Sequence, residues 1–244
     1  MRNVRLDICY DGTRYKGWQR LQGNDQTIQA KLEMILSRLL DEPIEVSASG
    51  RTDAGTHALG QVVSFRCNNP MPCEEILQGL RQFLPEDIGV YRCKNVSERF
   101  HARLNAKSKT YRYRVWNSET PCVFDRKYVY MDCRTFDLNA MVFGAKHFIG
   151  THDFSAFCGN KNMKKSTVRT IESFTVERQG NEIVFLVKGN GFLQHMVRIM
   201  VGTLLEIGVG ERSAEDIPKL FGGLRSDAGV MVPACGLCLM EVIY

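Results

Sequence analysis

Val4-Arg5-Leu6-Asp7-Ile8-Cys9-Tyr10 is the stretch from which the fold is read. Val4, Leu6, Ile8 and Tyr10 alternate with Arg5, Asp7 and Cys9, the period-two pattern of a strand with one buried face. Beyond it, Ile28, Leu32, Ile35, Leu36, Leu39 and Leu40 recur at helical spacing, and Asp41-Glu42-Pro43 ends that helix. A short strand, Ile44 to Ala48, and another around Leu59 to Cys67 flank a glycine-bounded loop. Ile76, Leu77, Leu80, Phe83 and Leu84 form a second helix entered through Pro72, and Ile88 to Val96 closes the series as a strand. The order is βαββαβ.

The second half gives much the same order. Tyr111, Tyr113 and Val115 share one face of a strand whose other face carries Arg112 and Arg114. Leu138, Met141, Val142, Ala145, Phe148 and Ile149 predict a helix capped by Asp137 and ended at Gly150. Arg169 to Glu177 and Glu182 to Lys188 read as a hairpin around Gln179-Gly180-Asn181. Leu193, Met196, Val197, Met200, Val201, Leu204 and Leu205 predict the clearest helix, with Arg198 on its polar side. Ser213 to Phe221 adds a short helix and Leu237 to Tyr244 a last strand. The expected fold is α+β: two ferredoxin-like (RRM-like) halves, residues 1–98 and 99–244, with antiparallel sheets meeting at a central cleft. Asn95 to Ala106 is the expected linker. RNA-recognition modules share this topology and stack bases on sheet aromatics. So many functions use it, however, that function has to come from a site.

Composition narrows the partners only a little. Lys plus Arg is 32 against 27 for Asp plus Glu, a net charge of +5 that alone establishes no nucleic-acid partner. Placement says more. Arg99, Arg103, Lys107, Lys109, Arg112 and Arg114 fall in one tract free of acids, and Lys161, Lys164, Lys165 and Arg169 in another. The nine cysteines are odd in number and scattered, mostly in apolar runs, which suits a reducing cytoplasm. Met1 leads directly into the first strand without a signal-peptide core, and no apolar run approaches the ~20 residues of a membrane span.

Chemistry concentrates in Ser49-Gly50-Arg51-Thr52-Asp53-Ala54-Gly55-Thr56-His57-Ala58, between two predicted strands. Glycines on either side of an Arg-x-Asp allow a loop that brings a short side chain close to a ligand. An Asp in a Gly-rich turn is ordinarily a turn former, and residue chemistry alone leaves that reading open.

Gly50 to Ala58 resembles the Gly-Arg-Thr-Asp-Ala-Gly-Val-His-Ala signature of the TruA family of tRNA pseudouridine synthases, with Thr56 in place of the usual Val. Tyr10-Asp11-Gly12-Thr13-Arg14-Tyr15-Lys16-Gly17-Trp18-Gln19 is similar to that family's opening motif, followed by Thr27-Ile28-Gln29. Phe100-His101-Ala102-Arg103 and Ala106 to Tyr113 resemble its central motif; Asp153 to Phe157 and Val168 to Ile171 fit as well. Gly189 to Arg198 also fits, although Gln194 and Ile199 stand where His and Asn are common, and Pro233 to Leu237 completes the series.

The resemblance implies isomerisation of uridine to pseudouridine in the anticodon stem-loop of tRNA, at positions 38, 39 and 40, by a homodimer. The N1–C1′ bond breaks, the uracil rotates, and C5 joins C1′, so no cofactor or metal is required. It further implies Asp53 as the nucleophile, a role that needs a good leaving group as well. Arg198 would pair with Asp53 and hold it ionised against burial. Tyr111 would pack on the target base and handle the C5 proton, and Arg51 would follow the flipped nucleotide into the stack. His57 and His195 are assigned structural or RNA-positioning roles. Arg103, Lys164, Lys165 and Arg169 would bind phosphates.

Other signals carry less. Cys235-Gly236-Leu237-Cys238 has no second pair for zinc. Gly189-Asn190-Gly191 lacks the third glycine of a dinucleotide fingerprint, and His147 and His152 share no helix face. The rivals are a noncatalytic RNA-binding module, a nucleosidase that would release free base, and a synthase acting elsewhere on tRNA.

Overall fold

A computed structural model describes residues 1–160 and 163–244. Lys161, counted above in the second basic tract, lies outside the described residues. The elements are β1 (Arg2–Tyr10), α1 (Ile28–Leu40), β2 (Val46–Ala48), β3 (His57–Cys67), α2 (Cys73–Phe83), β4 (Ile88–Val96), β5 (Ser108–Trp116), β6 (Tyr130–Met131), α3 (Leu138–His147), β7 (Gly150–Asp153), β8 (Val168–Gln179), β9 (Glu182–Gly189), α4 (Met196–Gly208), α5 (Ile217–Leu220) and β10 (Leu237–Ile243). The fold is mixed α+β. It divides into two compact units, one of Met1–Lys107 with Leu239–Tyr244, the other of Ser108–Cys238.

In the first unit β1 lies between β3 and β4, antiparallel to both, with Leu6 opposite Val63 on one side and Cys93 on the other. β2 pairs with β3 through Val46 and Phe65, and β10 also lies beside β3. The alternation in β1 does what its pattern requires. Val4, Leu6 and Ile8 are wholly buried, as are Ile28, Leu32 and Leu36 of α1 and Ile76 and Leu80 of α2. Each such side chain stabilises by roughly 1.5–3 kcal/mol through loss of water contact, so Leu36→Ala would cost about 2–5 kcal/mol. Thr27 caps α1 by accepting from the Ala30 amide at 3.3 Å, and Asp41, left-handed at φ 51°, ends it.

In the second unit the strand order is β5-β9-β8-β7, antiparallel throughout, with Tyr113 opposite Phe185 and Phe185 opposite Val176. Tyr113, Val115, Ile183, Phe185 and Val187 are buried. Phe148, Phe154, Phe157 and Phe174 form an aromatic cluster, with Phe148 5.1 Å from Phe157 edge-on and 5.8 Å from Phe174. The Asp137 carboxylate caps α3, accepting from the Ala140 amide at 3.0 Å.

Several expectations change. The helix around Leu193 starts only at Met196, because His195 takes a left-handed φ of 63° that cannot open a helix. Arg198 does not sit on a polar side: α4 is buried nearly all round, and Arg198 is 9% exposed. The strand expected from Ile44 begins at Val46, since the Ile44 amide donates to Ser37 Oγ at 2.9 Å. Ser213 to Phe221 is a single 3₁₀ turn, Ala214–Asp216, followed by the one-turn α5. The expected linker is part of the first unit. Asn3 Nδ2 donates to the carbonyls of Ser97 (2.9 Å) and Phe100 (2.7 Å), and Ala102 is fully buried. The short strands β6 and β7 were not expected. Among the described residues no helix is long and apolar enough to cross a membrane.

Candidate active site

The loop between β2 and β3 carries Arg51 and Asp53 and ends at His57, the first residue of β3, and its backbone is held from two directions. From one side comes the segment that follows β1. The Trp18 amide donates to Thr52 O at 3.0 Å, the Gly55 amide to Tyr15 O at 3.3 Å, and the Thr56 amide turns back to Asp53 O at 3.1 Å. Gly17 sits at φ +92°, and a Cβ there would lie 2.8 Å from Thr52 O and 3.1 Å from the Asp53 carbonyl carbon. A Cβ on Gly12 would lie 2.0 Å from Thr56 O. Only residues without a side chain allow this approach. Tyr15 in turn donates its hydroxyl to Asp87 Oδ1 at 2.6 Å, and Arg14 Nη2 reaches Asp87 Oδ2 at 2.6 Å. Burial, then the Asp87 bond, pushes the Tyr15 phenol far above its ordinary pKa.

From the other side comes β3. Gln61, fully buried, accepts from Ser49 Oγ at 2.6 Å and donates to Gly50 O at 2.9 Å, while the Tyr10 and Thr52 hydroxyls lie 2.8 Å apart. Thr52 and Thr56 are buried, Asp53 is half-buried, and Arg51 and Ala54 are exposed. The loop therefore presents a partly shielded carboxylate on a fixed backbone, with an arginine two residues before it pointing to solvent. That is the pre-organisation a nucleophilic or general-base Asp needs.

His57 is not a surface residue. It is 5% exposed, its Nδ1 accepts the Gly12 amide at 3.1 Å, and Asp11 Oδ1 lies 3.2 Å away. The amide contact makes Nδ1 an acceptor, so His57 holds the opening motif to the base of the loop.

The second unit positions the other expected residues. Tyr111, on β5, is 7% exposed, and its ring meets Phe192 edge-on at 5.1 Å. Arg198, near the start of α4, donates its Nε to Val232 O at 2.7 Å. Tyr113 donates its hydroxyl to the next carbonyl, Pro233 O, at 2.7 Å. Burial raises the Tyr113 pKa far above the phenol range, and the Arg198 charge acts in the opposite direction. Arg169, on β8, folds its Nη1 onto the carbonyls of Ser166 (2.9 Å) and Val168 (2.6 Å). A Cβ built on Gly191 would lie 3.6 Å from Arg169 Nε, which puts Arg169 beside the turn that carries Phe192. The His195 ring packs over the backbone of Gly159, where a Cβ would lie 2.1 Å from Nδ1. Lys164 and Lys165 are exposed, as is Arg103 in the first unit, whose amide donates to His101 Nδ1 at 3.1 Å.

Sequence reading missed Gln61, and gave no role to Tyr10, Gly12 and Gly17, although three of the four lie in the quoted opening motif. Among the described residues no group of three or more His, Cys, Asp or Glu is placed to hold a metal ion.

Comparison with known proteins shows the family. A family model described as tRNA pseudouridine synthase matches residues 8–105 and 145–244. The chain is 45% identical over 245 residues to tRNA pseudouridine synthase A 1 of Clostridium tetani, 44% identical to tRNA pseudouridine synthase A of Bacillus sp. strain KSM-64, and 42% identical to tRNA pseudouridine synthase A 2 of Bacillus cereus strain ZK. In each case 100% of both chains is covered. A solved Cbf5-Nop10-Gar1 complex aligns over 97% of this chain and 48% of the other at 10% identity and a TM-score of 0.39, too low a likeness to carry an argument. The chain belongs to the tRNA pseudouridine synthase family. The activity of that family is isomerisation of uridine to pseudouridine in tRNA.

Proposed function

We propose that this chain modifies the anticodon stem-loop of tRNA, at uridines 38, 39 and 40, with Asp53 as the nucleophile. The observation that carries the reading is the half-buried Asp53 on a backbone clamped by Trp18 and Tyr15. The Asp53 carboxylate bonds to the pyrimidine nucleotide as the N1–C1′ bond breaks and is expelled as C5 joins C1′; a base then takes the proton from C5, and N1 takes one up in exchange. No group is gained or lost, so the product is an isomer.

The remaining residues divide by reach. Arg198 pairs with the Asp53 carboxylate, and Tyr111 packs on the extruded base and handles its proton. Arg51, exposed beside Asp53, fills the gap left in the RNA stack. Arg103, Lys164, Lys165, Arg169 and His195 position the backbone. His57 contributes to substrate binding from beneath, through the loop that it holds.

The same reading makes each half ferredoxin-like, supported in the first unit by β4-β1-β3 with β2 beyond β3. In the second, support comes from the succession β5, α3, β8, β9, α4. It also makes the protein a cytoplasmic homodimer that needs no cofactor, and light scattering tests the dimer.

Asp53→Asn is the direct test. Tritium release from uridine-labelled tRNA should vanish while filter binding changes little. Normal turnover by this variant would remove Asp53 from its role, and free uracil in place of pseudouridine would make the enzyme a nucleosidase.

A further inference from the structure

We infer that Gln61 is a positioning residue for Asp53, acting through the loop backbone; this rests on the reading of Asp53 as the nucleophile. Gln61 has no solvent exposure, yet its side chain lies eight residues beyond Asp53 on a strand whose neighbouring positions are apolar. An amide has two N–H donors and an oxygen with two lone pairs. All four are used here. Oε1 accepts from Ser49 Oγ (2.6 Å) and the Val62 amide (3.2 Å), and Nε2 donates to Gly50 O (2.9 Å) and Tyr10 Oη (3.4 Å). The Val62 N–H can only face an acceptor, which fixes the orientation of the amide.

These bonds act along the loop. Gln61 holds residues 49 and 50 directly, and Tyr10, 2.8 Å from Thr52 Oγ1, passes the constraint to residue 52. With the Trp18 amide on Thr52 O, the peptide that leads into Asp53 is held at its carbonyl and the preceding side chain at its hydroxyl. The direction of the Cα–Cβ bond of Asp53 follows from that peptide plane. A buried amide with every valence satisfied is a stiff support, because losing any one partner strands a desolvated polar group.

The test uses Gln61→Leu, Gln61→Glu and Asp53→Asn in the full chain, each assayed where circular dichroism shows it folded. Gln61→Leu removes all four bonds. Its kcat should fall roughly 10- to 100-fold, the size expected for displacing a catalytic group by about 1 Å, with KM and tRNA binding within about twofold of the parent. Gln61→Glu keeps the acceptor for Ser49 and Val62 but turns a bare oxygen toward the Gly50 carbonyl. Protonation restores a donor there, and burial raises the carboxyl pKa. The ratio of variant to parent kcat should therefore climb as pH is lowered from about 8 to about 6. Should Gln61→Leu fail to fold, that ratio alone decides. A parent-like kcat in a folded Gln61→Leu, or a pH-independent ratio for Gln61→Glu, overturns the inference even if both variants lose thermal stability. Inactive Asp53→Asn beside fully active Gln61 variants sinks only the positioning role. Active Asp53→Asn sinks the nucleophile and with it this inference.

Discussion

Gly17 and Thr52 lie so close that a Cβ on the first would stand 2.8 Å from the carbonyl oxygen of the second. The same carbonyl accepts the Trp18 amide at 3.0 Å, so the two residues form a seam between the opening segment and the Asp53 loop. Gly17→Ala meets both a left-handed φ of +92° and that collision. The strain alone costs about 1–3 kcal/mol. A lowered Tm together with a reduced kcat at unchanged tRNA affinity is expected. A variant with parental Tm and rate would show that the seam is dispensable.

Thr56 stands where relatives of the resembled family carry Val, and its hydroxyl is buried without a hydrogen-bond partner among the described residues. An unmet buried hydroxyl costs about 1–3 kcal/mol. Thr56→Val keeps the shape and removes that cost, so Tm should rise by about 2–4 °C for each kcal/mol recovered in a chain of this length. Differential scanning fluorimetry measures it, and a fall in Tm would mean the hydroxyl is stabilising after all.

Burial raises the phenol pKa values of Tyr15, Tyr113 and Tyr244 far above their ordinary values, Tyr113 with the least access to solvent. In the unfolded chain these groups lose their protons near pH 10, while in the fold they keep them. The unfolded state then binds fewer protons, so stability is intact below about pH 10 and falls as pH rises above it. Denaturant midpoints at increasing alkalinity should decline, and Tyr113→Phe should flatten the decline while costing about 1 kcal/mol at neutral pH for the bond to Pro233. A midpoint insensitive to alkali would contradict the assignment.

Lys164 and Lys165 are exposed on the second unit. If they meet phosphates, Lys164→Glu with Lys165→Glu weakens tRNA binding and reduces the salt dependence of log Kd by roughly 0.7–0.9 for each phosphate no longer neutralised. Titrations at several salt concentrations read the slope directly. An unchanged slope would place this tract away from the RNA.

The parts of the fold legible in sequence were those where one buried face imposes a period. β1 and α1 appeared as their alternation and spacing predicted, because water can reach only one side of each. α4 was harder. Twelve of its thirteen residues are buried, so no polar face marks its orientation, and Arg198 was placed on a side that does not exist. Its start was hidden by the φ of His195, since nothing in the identity of Leu193 tells that the chain turns before the helix begins. The glycines around Asp53 mark its loop as unusual, but the role expected of it came with the resemblance of Gly50 to Ala58 to a family signature, since an Asp in such a turn is ordinarily a turn former. Gln61 could not be found, because a lone glutamine in a strand looks like a residue facing water until partners 11 and 12 residues upstream are seen around it.

The compact unit that bears Asp53 is assembled from residues 1–107 and residues 239–244. A ribosome makes the second group only after the whole of the other unit. Throughout that interval the edge of β3 that β10 will cover is open, an unpaired ladder able to recruit foreign strands. The nascent enzyme thus finishes last the unit it began with, and a stalled or clipped product would carry the Asp53 loop on an incomplete sheet.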